Sequence, residues 1–336
     1  MIRHVRIIWR ALASLRLTLG CILLALAIAL TGEAFGVAFG TYMTIPFALL
    51  CLNLLAAVAT NPKLYRHGGL LGFHLALAAL ALLAAFDQLL TLSGHVEVTE
   101  GAAFDPGLVQ AEAGPLHPGG LERVRFVQGG FTVKYAPGLK RRDTRSMVQV
   151  RSGNNGWRTV IVGDDRPLVF GDFRFYTSFN KGFAPLLTFF DKQGVPHRGT
   201  VHLPSYPLNY YKQGNRWTPP GGSRPIKLWL HLPKPAFETQ ENWQFQKPES
   251  AALVVIDGGN RYELRPGGVV DIGLGKLRYE GLRSWMGYTI TYSPLLAWML
   301  AAAATAILCL AWHVARGVMR TPWHAASGRR EADDAA

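Results

Sequence analysis

Cysteine is scarce in this chain. Among 336 residues there are only three, Cys21, Cys51 and Cys309, and each falls in an apolar run. The stretch of about 200 residues from Ser93 to Ser293 therefore has no disulfide, no CxxC redox pair and no CxxCH haem-attachment motif. A c-type cytochrome and a thioredoxin-like reductant are excluded. Also missing are a G-x-S-x-G elbow, a Walker A loop, an HExxH helix and a paired-cysteine zinc motif, so hydrolysis and group transfer have no recognisable constellation.

Charge is absent from four long stretches. Leu17–Thr31 has no ionisable group except the Cys21 thiol, and similar runs cover Thr44–Thr60, Gly69–Phe86 and Pro294–Trp312. Spanning a bilayer takes about 20 predominantly apolar residues, so these runs predict four transmembrane helices. No A-x-A cleavage site follows the first run and a second run comes almost at once, which favours a retained span over a signal peptide.

Lys and Arg are lacking in Gly32–Met43. They are present before the first run (Arg3, Arg6, Arg10, Arg16), between the second and third (Lys63, Arg66) and after the fourth (Arg316, Arg320, Arg329, Arg330). By the positive-inside rule both termini and the 61–68 loop are cytoplasmic, and the long segment lies across the inner membrane, in a periplasm-like space. The net charge of +13 is partly this topogenic arginine. The remainder sits on the wrong side for a genome, so nucleic acid is set aside and membrane lipid is the expected surroundings.

The long segment has no useful 3.6-residue period. It carries short β-type runs: VRF, FTVKYAP, SMVQVRS, WRTVIVG, PLVFGDFRFYTSF, LLTFFD, GTVHLP, KLWLHLP, ALVVID, RYELRPG, KLRYEG and YTITYSP. Turn signals such as SGNNG, DKQG and DGGN separate them, and the Pro/Gly-rich stretches Ser205–Ser223 and Pro233–Ser250 are expected to be long loops. The expected architecture is an α+β membrane protein. Helices occupy 1–93 with a cytoplasmic N-terminal segment, an external antiparallel sandwich- or barrel-like domain covers 94–292, a fourth span covers 293–315 and a cytoplasmic tail covers 316–336. The short connection from YTITY to Pro294 is expected to hold the β-domain close to the membrane.

Inside the third run stands His74. An ionisable side chain within a span is costly and ordinarily faces a partner or ligand. His67 lies seven residues earlier, nearly two helical turns, so in an unbroken helix the two share a face about 10 Å apart along the axis. His313 sits near the cytoplasmic end of the fourth run, level with His67, so three imidazoles are expected to meet in that half of the bundle. Interfacial packing is the competing reading for His67 and His313, and a neutral hydrogen-bonded histidine for His74. Asp87 reads as an interfacial carboxylate. His95 is the one histidine expected near the bundle on the external side, and His117, His197, His202 and His231 are dispersed.

Several segments, in order, resemble one family. LASLRLTL at Leu12–Leu19, HGGLLGFHLALAALALL with its two histidines, SGHVEVTEGAAF, FTVKYAPG with RSMVQV, RPLVFGDFRFYTSF, and GLRSWMGYTITYSPLLAW leading to AWHVARG resemble ResB (CcsB) proteins of System II cytochrome c biogenesis. That resemblance implies a subunit, not itself catalytic, of a haem lyase or synthase that works with a CcsA (ResC) membrane partner. Together they move haem across the membrane and join it to apocytochrome c. It also implies that a histidine of the third span, here His74, ligates the iron of transient haem b, with His67 as a further cofactor-binding candidate; His313 joins them as a candidate by its depth in the fourth run. The chain departs from the family pattern at Asp165-Arg166, Thr177 and Ser293-Pro294, and it is short. It has no tryptophan-rich WWD-type segment, which in System II belongs to the partner. Two other classes fit a histidine-bearing helix bundle: a b-type electron-transfer subunit and a membrane assembly scaffold.

Overall fold

A computed structural model describes residues 2–35, 39–152, 156–205, 213–232, 241–249 and 251–320. The middle of the SGNNG turn, parts of both expected long loops, and Arg329 and Arg330 lie outside the described residues, as do the side chains of Arg3 and Arg6. The chain divides into two compact units. One comprises 1–92, 112–118 and 292–336, and the other 93–111 and 119–291.

The first unit is helical: α1 (Ile2–Leu12), α2 (Leu15–Phe35), α3 (Phe39–Thr60), α4 (Pro62–Tyr65), α5 (Gly68–Leu90) and α6 (Leu296–Arg320). Three stretches are long and apolar enough to cross a membrane: Thr41–Thr60, Gly68–Leu90 and Leu296–Met319. The first expected span also folds as a helix, and among the described residues its apolar stretch is Leu15–Thr31, shorter than these three. Much of the expected Gly32–Met43 loop is helical too, since α2 runs on to Phe35 and α3 begins at Phe39.

A buried polar residue sets the corner between α1 and α2. Asn53 of α3 is 2% exposed, and its amide donates to Leu12 O (2.6 Å) and Ser14 O (3.1 Å). Its Oδ1 accepts from Thr18 Oγ1 (2.7 Å). Where a helix breaks among apolar neighbours, its freed carbonyls need donors, and Asn53 supplies two. The LASLRLTL segment is this corner.

At the other end of α5, Asp87 is buried and accepts from Ser293 Oγ (2.9 and 3.0 Å) and Leu295 N (3.4 Å). It thus satisfies the amide edge just before α6, the position where a negative charge also favours the helix dipole. Asp87 is a cap supplied by a neighbouring helix.

The second unit is built from strands: β1 (Leu92–Thr99), β2 (Gln110–Ala113), β3 (Phe126–Ala136), β4 (Lys140–Ser152), β5 (Gly156–Gly163), β6 (Leu168–Phe170), β7 (Phe173–Phe190), β8 (Pro196–Thr200), β9 (Leu203–Pro204), β10 (Gly214–Trp217), β11 (Ile226–His231), β12 (Trp243–Phe245), β13 (Ala252–Asp257), β14 (Asn260–Leu264), β15 (Val269–Asp271) and β16 (Lys276–Tyr292). One sheet has the path β2-β1-β16-β7-β6, with β15 on β16 and β8 and β9 on β7. The others run β10-β11-β13-β14 and β12-β3-β4-β5. The pairings within both four-stranded sheets are antiparallel, as are those of β7 with β6, β8 and β9. The expected long loops contain β10 and β12, each short and flanked by turn residues.

Alternation places Val148, Val150 and Val162 inward on their sheet, and the interior is strongly aromatic. Phe104 stacks on Phe126 at 5.0 Å, and Phe126 meets Phe175 and Tyr288 edge-on at 5.6 and 5.9 Å. Tyr288 closes a ring of buried hydrogen bonds, donating to Gln128 Oε1 (2.6 Å) while Gln128 Nε2 reaches Ser146 Oγ (2.8 Å), which lies 2.8 Å from Tyr288 Oη. Each member has its partners, so the polar cluster costs no unsatisfied group.

Candidate functional site

The helical unit holds the three imidazoles singled out by the sequence, and it brings two of them together. His67 and His313 lie with ring centroids 5.9 Å apart and planes at 60°. Glycine makes this approach possible. A Cβ on Gly69 would fall 2.9 Å from both Cys309 O and His313 Cβ, and one on Gly72 would fall 2.6 Å from Cys309 Sγ. α5 and α6 therefore meet along a small-residue seam, and the His67–His313 pair sits at its Gly69 end.

His67 is the N-cap of α5, with an extended backbone (φ −110°, ψ 103°). The expectation that it shares a helical face with His74 is corrected on that ground, since helical periodicity fixes directions only inside the helix. His74 projects elsewhere. At about 100° per residue it lies roughly 40° from Ala78 and 20° from Ala81, and some 140–160° from Gly69 and Gly72. Ala78 and Ala81 are buried against Cys51 of α3, with Leu50 and Leu54 beside them. His74 thus belongs to the α3 side of α5, and the expected cluster of three becomes a pair and a single residue.

His74 is half-buried, with Phe73 edge-on at 5.3 Å. Its Nδ1 lies 2.8 Å from Leu70 O. A carbonyl only accepts, so Nδ1 carries the hydrogen, and in the neutral ring Nε2 keeps its lone pair. Histidines that ligate metals are commonly held in this way, with the second nitrogen donating to a carbonyl.

His117 is corrected in place as well. Its segment belongs to the helical unit, its Nδ1 donates to Leu90 O (2.8 Å), and its ring meets Tyr292 edge-on at 4.8 Å. His95 was therefore not the one histidine to consider at that end of α5.

In the strand unit three histidines pair with carboxylates: His197 with Asp191 (3.1 Å), His202 with Glu97 (2.7 Å) and His231 with Glu263 (3.3 Å). His95 meets Gln110 at 3.0 Å. No group of three or more His, Cys, Asp or Glu positioned for a metal occurs among the described residues. The E-G pair of the resemblance is structural. Burial alone would raise the Glu100 carboxyl, but Oε2 accepts from Lys247 Nζ (2.7 Å) and from Ser284 N and Oγ (both 2.8 Å), which holds it below the usual range. Lys181 of β7 is 3% exposed, and burial pushes its ammonium down to about 8, helped by Arg141 nearby.

Residues 56–316 match the family model described as "ResB-like family". The chain belongs to the ResB-like family. The match takes in α5, every strand and α6 as far as Arg316, while the Leu12–Leu19 segment lies outside it. No curated protein matches. Among solved structures, the chain is similar to one titled "Cytochrome c Heme Lyase CcmF", at 16% identity and a TM-score of 0.27. That likeness covers 89% of this chain and 34% of the other, so the chain spans about a third of its length.

Asn53 and the Gly69/Gly72 seam escaped the sequence reading. Each left a signal: one amide inside an apolar run, and glycines three apart on a span.

Proposed function

We propose that this chain is the ResB-type subunit of a cytochrome c maturation complex, handling haem as a transient substrate on its way to apocytochrome c beside a CcsA (ResC)-type membrane partner. Membership of the ResB-like family supports the biogenesis role. The observation that carries the site is His74: it is half-buried in an apolar helix, with Nδ1 committed to Leu70 O and Nε2 left as the donor atom. Neutral imidazole is a good axial ligand for haem iron.

The donors fit haem b in kind. His74 is the proposed iron ligand, and the His67–His313 pair offers two further imidazoles from different helices. Because Gly69 and Gly72 leave no room for even a methyl group against α6, the macrocycle lies outside that seam in this reading. Bound haem supplies the iron and the vinyl groups that the attachment reaction consumes. The chain's own share is to hold and orient it, so its role within the synthase is non-catalytic.

The same reading takes α2 as a fourth span, both termini as cytoplasmic and 94–292 as periplasmic, supported by the placement of Lys and Arg. Co-expression with a c-type cytochrome reporter tests the function. His74→Ala is expected to cut mature holocytochrome at least tenfold while the chain accumulates normally. Wild-type maturation by that variant would overturn the ligand role.

A second reading is favoured by one observation, that His67 and His313 approach from two helices as the ligands of a b-type electron-transfer haem do. It predicts a permanently bound, redox-active haem that depends on both residues, with maturation unaffected.

A further inference from the structure

Two residues of β1 and one from the segment between β8 and β9 form a chain of hydrogen bonds that the haem reading does not use. Alternation turns Val96 and Val98 inward and puts Glu97 and Thr99 together on the other face of β1. His202, just before β9, lies against both. Its Nδ1 is 2.7 Å from Glu97 Oε2, and its Nε2 is 2.9 Å from Thr99 Oγ1. Thr200 Oγ1 stands 3.1 Å from the Thr99 hydroxyl oxygen. No sequence motif marks the group, because His202 is 105 residues from Glu97 and 103 from Thr99.

Donor and acceptor capacities fix the direction of the chain. An ionised carboxylate only accepts, so His202 Nδ1 carries the hydrogen, and in the neutral ring Nε2 keeps its lone pair. Thr99 therefore donates its hydroxyl hydrogen to Nε2, and Thr200 donates to Thr99. A hydroxyl on a base, and that base on a carboxylate, is the order of a nucleophile, its general base and the group that orients the base. The ring is also held by its face: it stacks on Trp285 at 4.7 Å and 8°, and Trp285 is anchored by Nε1 to Leu203 O at 2.9 Å. Asn215 Nδ2 donates to His202 O, again at 2.9 Å. His202 can take the Thr99 proton without moving, since the new Nε2–H donates back to Thr99 Oγ1 and Glu97 balances the charge. The side chains of His202 and Glu97 are 25% and 44% exposed and Thr99 is half-buried, so solvent reaches the group.

We propose that Thr99, His202 and Glu97 form a hydrolytic site in the strand unit, one that takes the acyl group of a small activated ester. Thr99 Oγ1 bonds to the carbonyl carbon while its proton passes to His202 Nε2. The bond from that carbon to the leaving oxygen then breaks, and the leaving group takes the proton from Nε2. Water repeats the sequence on the acyl-threonine, with His202 as its base, and releases the carboxylic acid and the Thr99 hydroxyl. The Thr200 hydroxyl, which faces Thr99 Oγ1, steadies the oxygen as it gains charge. Glu97 is the positioning residue. The site lies within the strand unit and is independent of the haem reading.

The test incubates the full chain in nanodiscs with p-nitrophenyl acetate, following p-nitrophenol release and mapping acetyl groups by peptide mass spectrometry. Release above that of empty nanodiscs is expected, or acetyl on Thr99 ahead of the exposed Lys192. Thr99→Ser should keep the reaction because it keeps the hydroxyl, and Thr99→Val, of nearly the same shape, should lose it. His202→Phe retains a ring over Trp285 and should slow the reaction by about tenfold or more. Glu97→Gln should lower kcat with KM unchanged, as a residue that orients the base requires. Melting curves check that the variants fold, and if Thr99→Val melts early, Thr99→Ser and Glu97→Gln decide. Equal rates in the wild type, Thr99→Val and His202→Phe, or acetyl on lysines alone with no release, overturn the proposal.

Discussion

The imidazoles of His67 and His313 lie 5.9 Å apart because Gly69 lets α6 approach α5 until no space remains for a side chain between them. The pair is a consequence of helix packing: one ring comes from the N-cap of α5 and the other from α6, and the glycine seam brings the two helices close enough for the rings to meet.

Gly72→Leu should therefore disturb the pair without touching it. Its Cβ alone would meet Cys309 Sγ at 2.6 Å. Overpacking of this kind costs about 1–3 kcal/mol, read as a lower melting temperature in detergent. Gly20→Ala, where a Cβ would meet nothing within 4 Å, should leave the melt unchanged.

Asp87 holds two donors at the start of α6. Asp87→Ala leaves Ser293 Oγ and Leu295 N without their acceptor, at about 1–3 kcal/mol for buried groups so deprived. Asp87→Asn keeps one oxygen and should lose less. Faster amide exchange at Leu295 and Leu296 in the alanine variant, with a smaller change in the asparagine variant, checks the cap.

Lys181 gives the strand unit a pH dependence of known sign. Its pKa is about 8 in the fold, against about 10.4 in an unfolded chain. Between these values the unfolded chain binds a proton that the fold does not, so stability rises with pH from 8 to about 10. Below pH 8 both states are charged and the full penalty, on the order of 3 kcal/mol, is present. Lys181→Met should remove the slope in that window and raise stability at pH 7, as measured by chemical denaturation at a series of pH values.

How much of this was legible in the sequence differs from element to element. The long apolar runs located α3, α5 and α6, and period-2 runs located most strands, because both patterns are local. The common depth of His67 and His313 was legible for the same reason. The direction of His67 was not, since a cap residue escapes the helical period that relates Gly69, Gly72 and His74. β7 and β16 read as separate short runs, yet each is continuous, and Gly281 at φ +158° interrupts the pattern of β16 without ending the strand. Asn53 looked like one polar residue in a span because its partners, Leu12 O, Ser14 O and Thr18, lie 35 or more residues away.

The most direct test of the haem assignment is the absorption spectrum of the purified full-length chain, alone and with its membrane partner, in wild type and His74→Ala. The assignment predicts a b-type Soret band in the wild type that is lost or strongly reduced in His74→Ala and partly restored by added imidazole, which occupies the vacated axial position. His67→Ala and His313→Ala should lower it less. A Soret band of full intensity in His74→Ala, or no haem in either wild-type preparation, would contradict it.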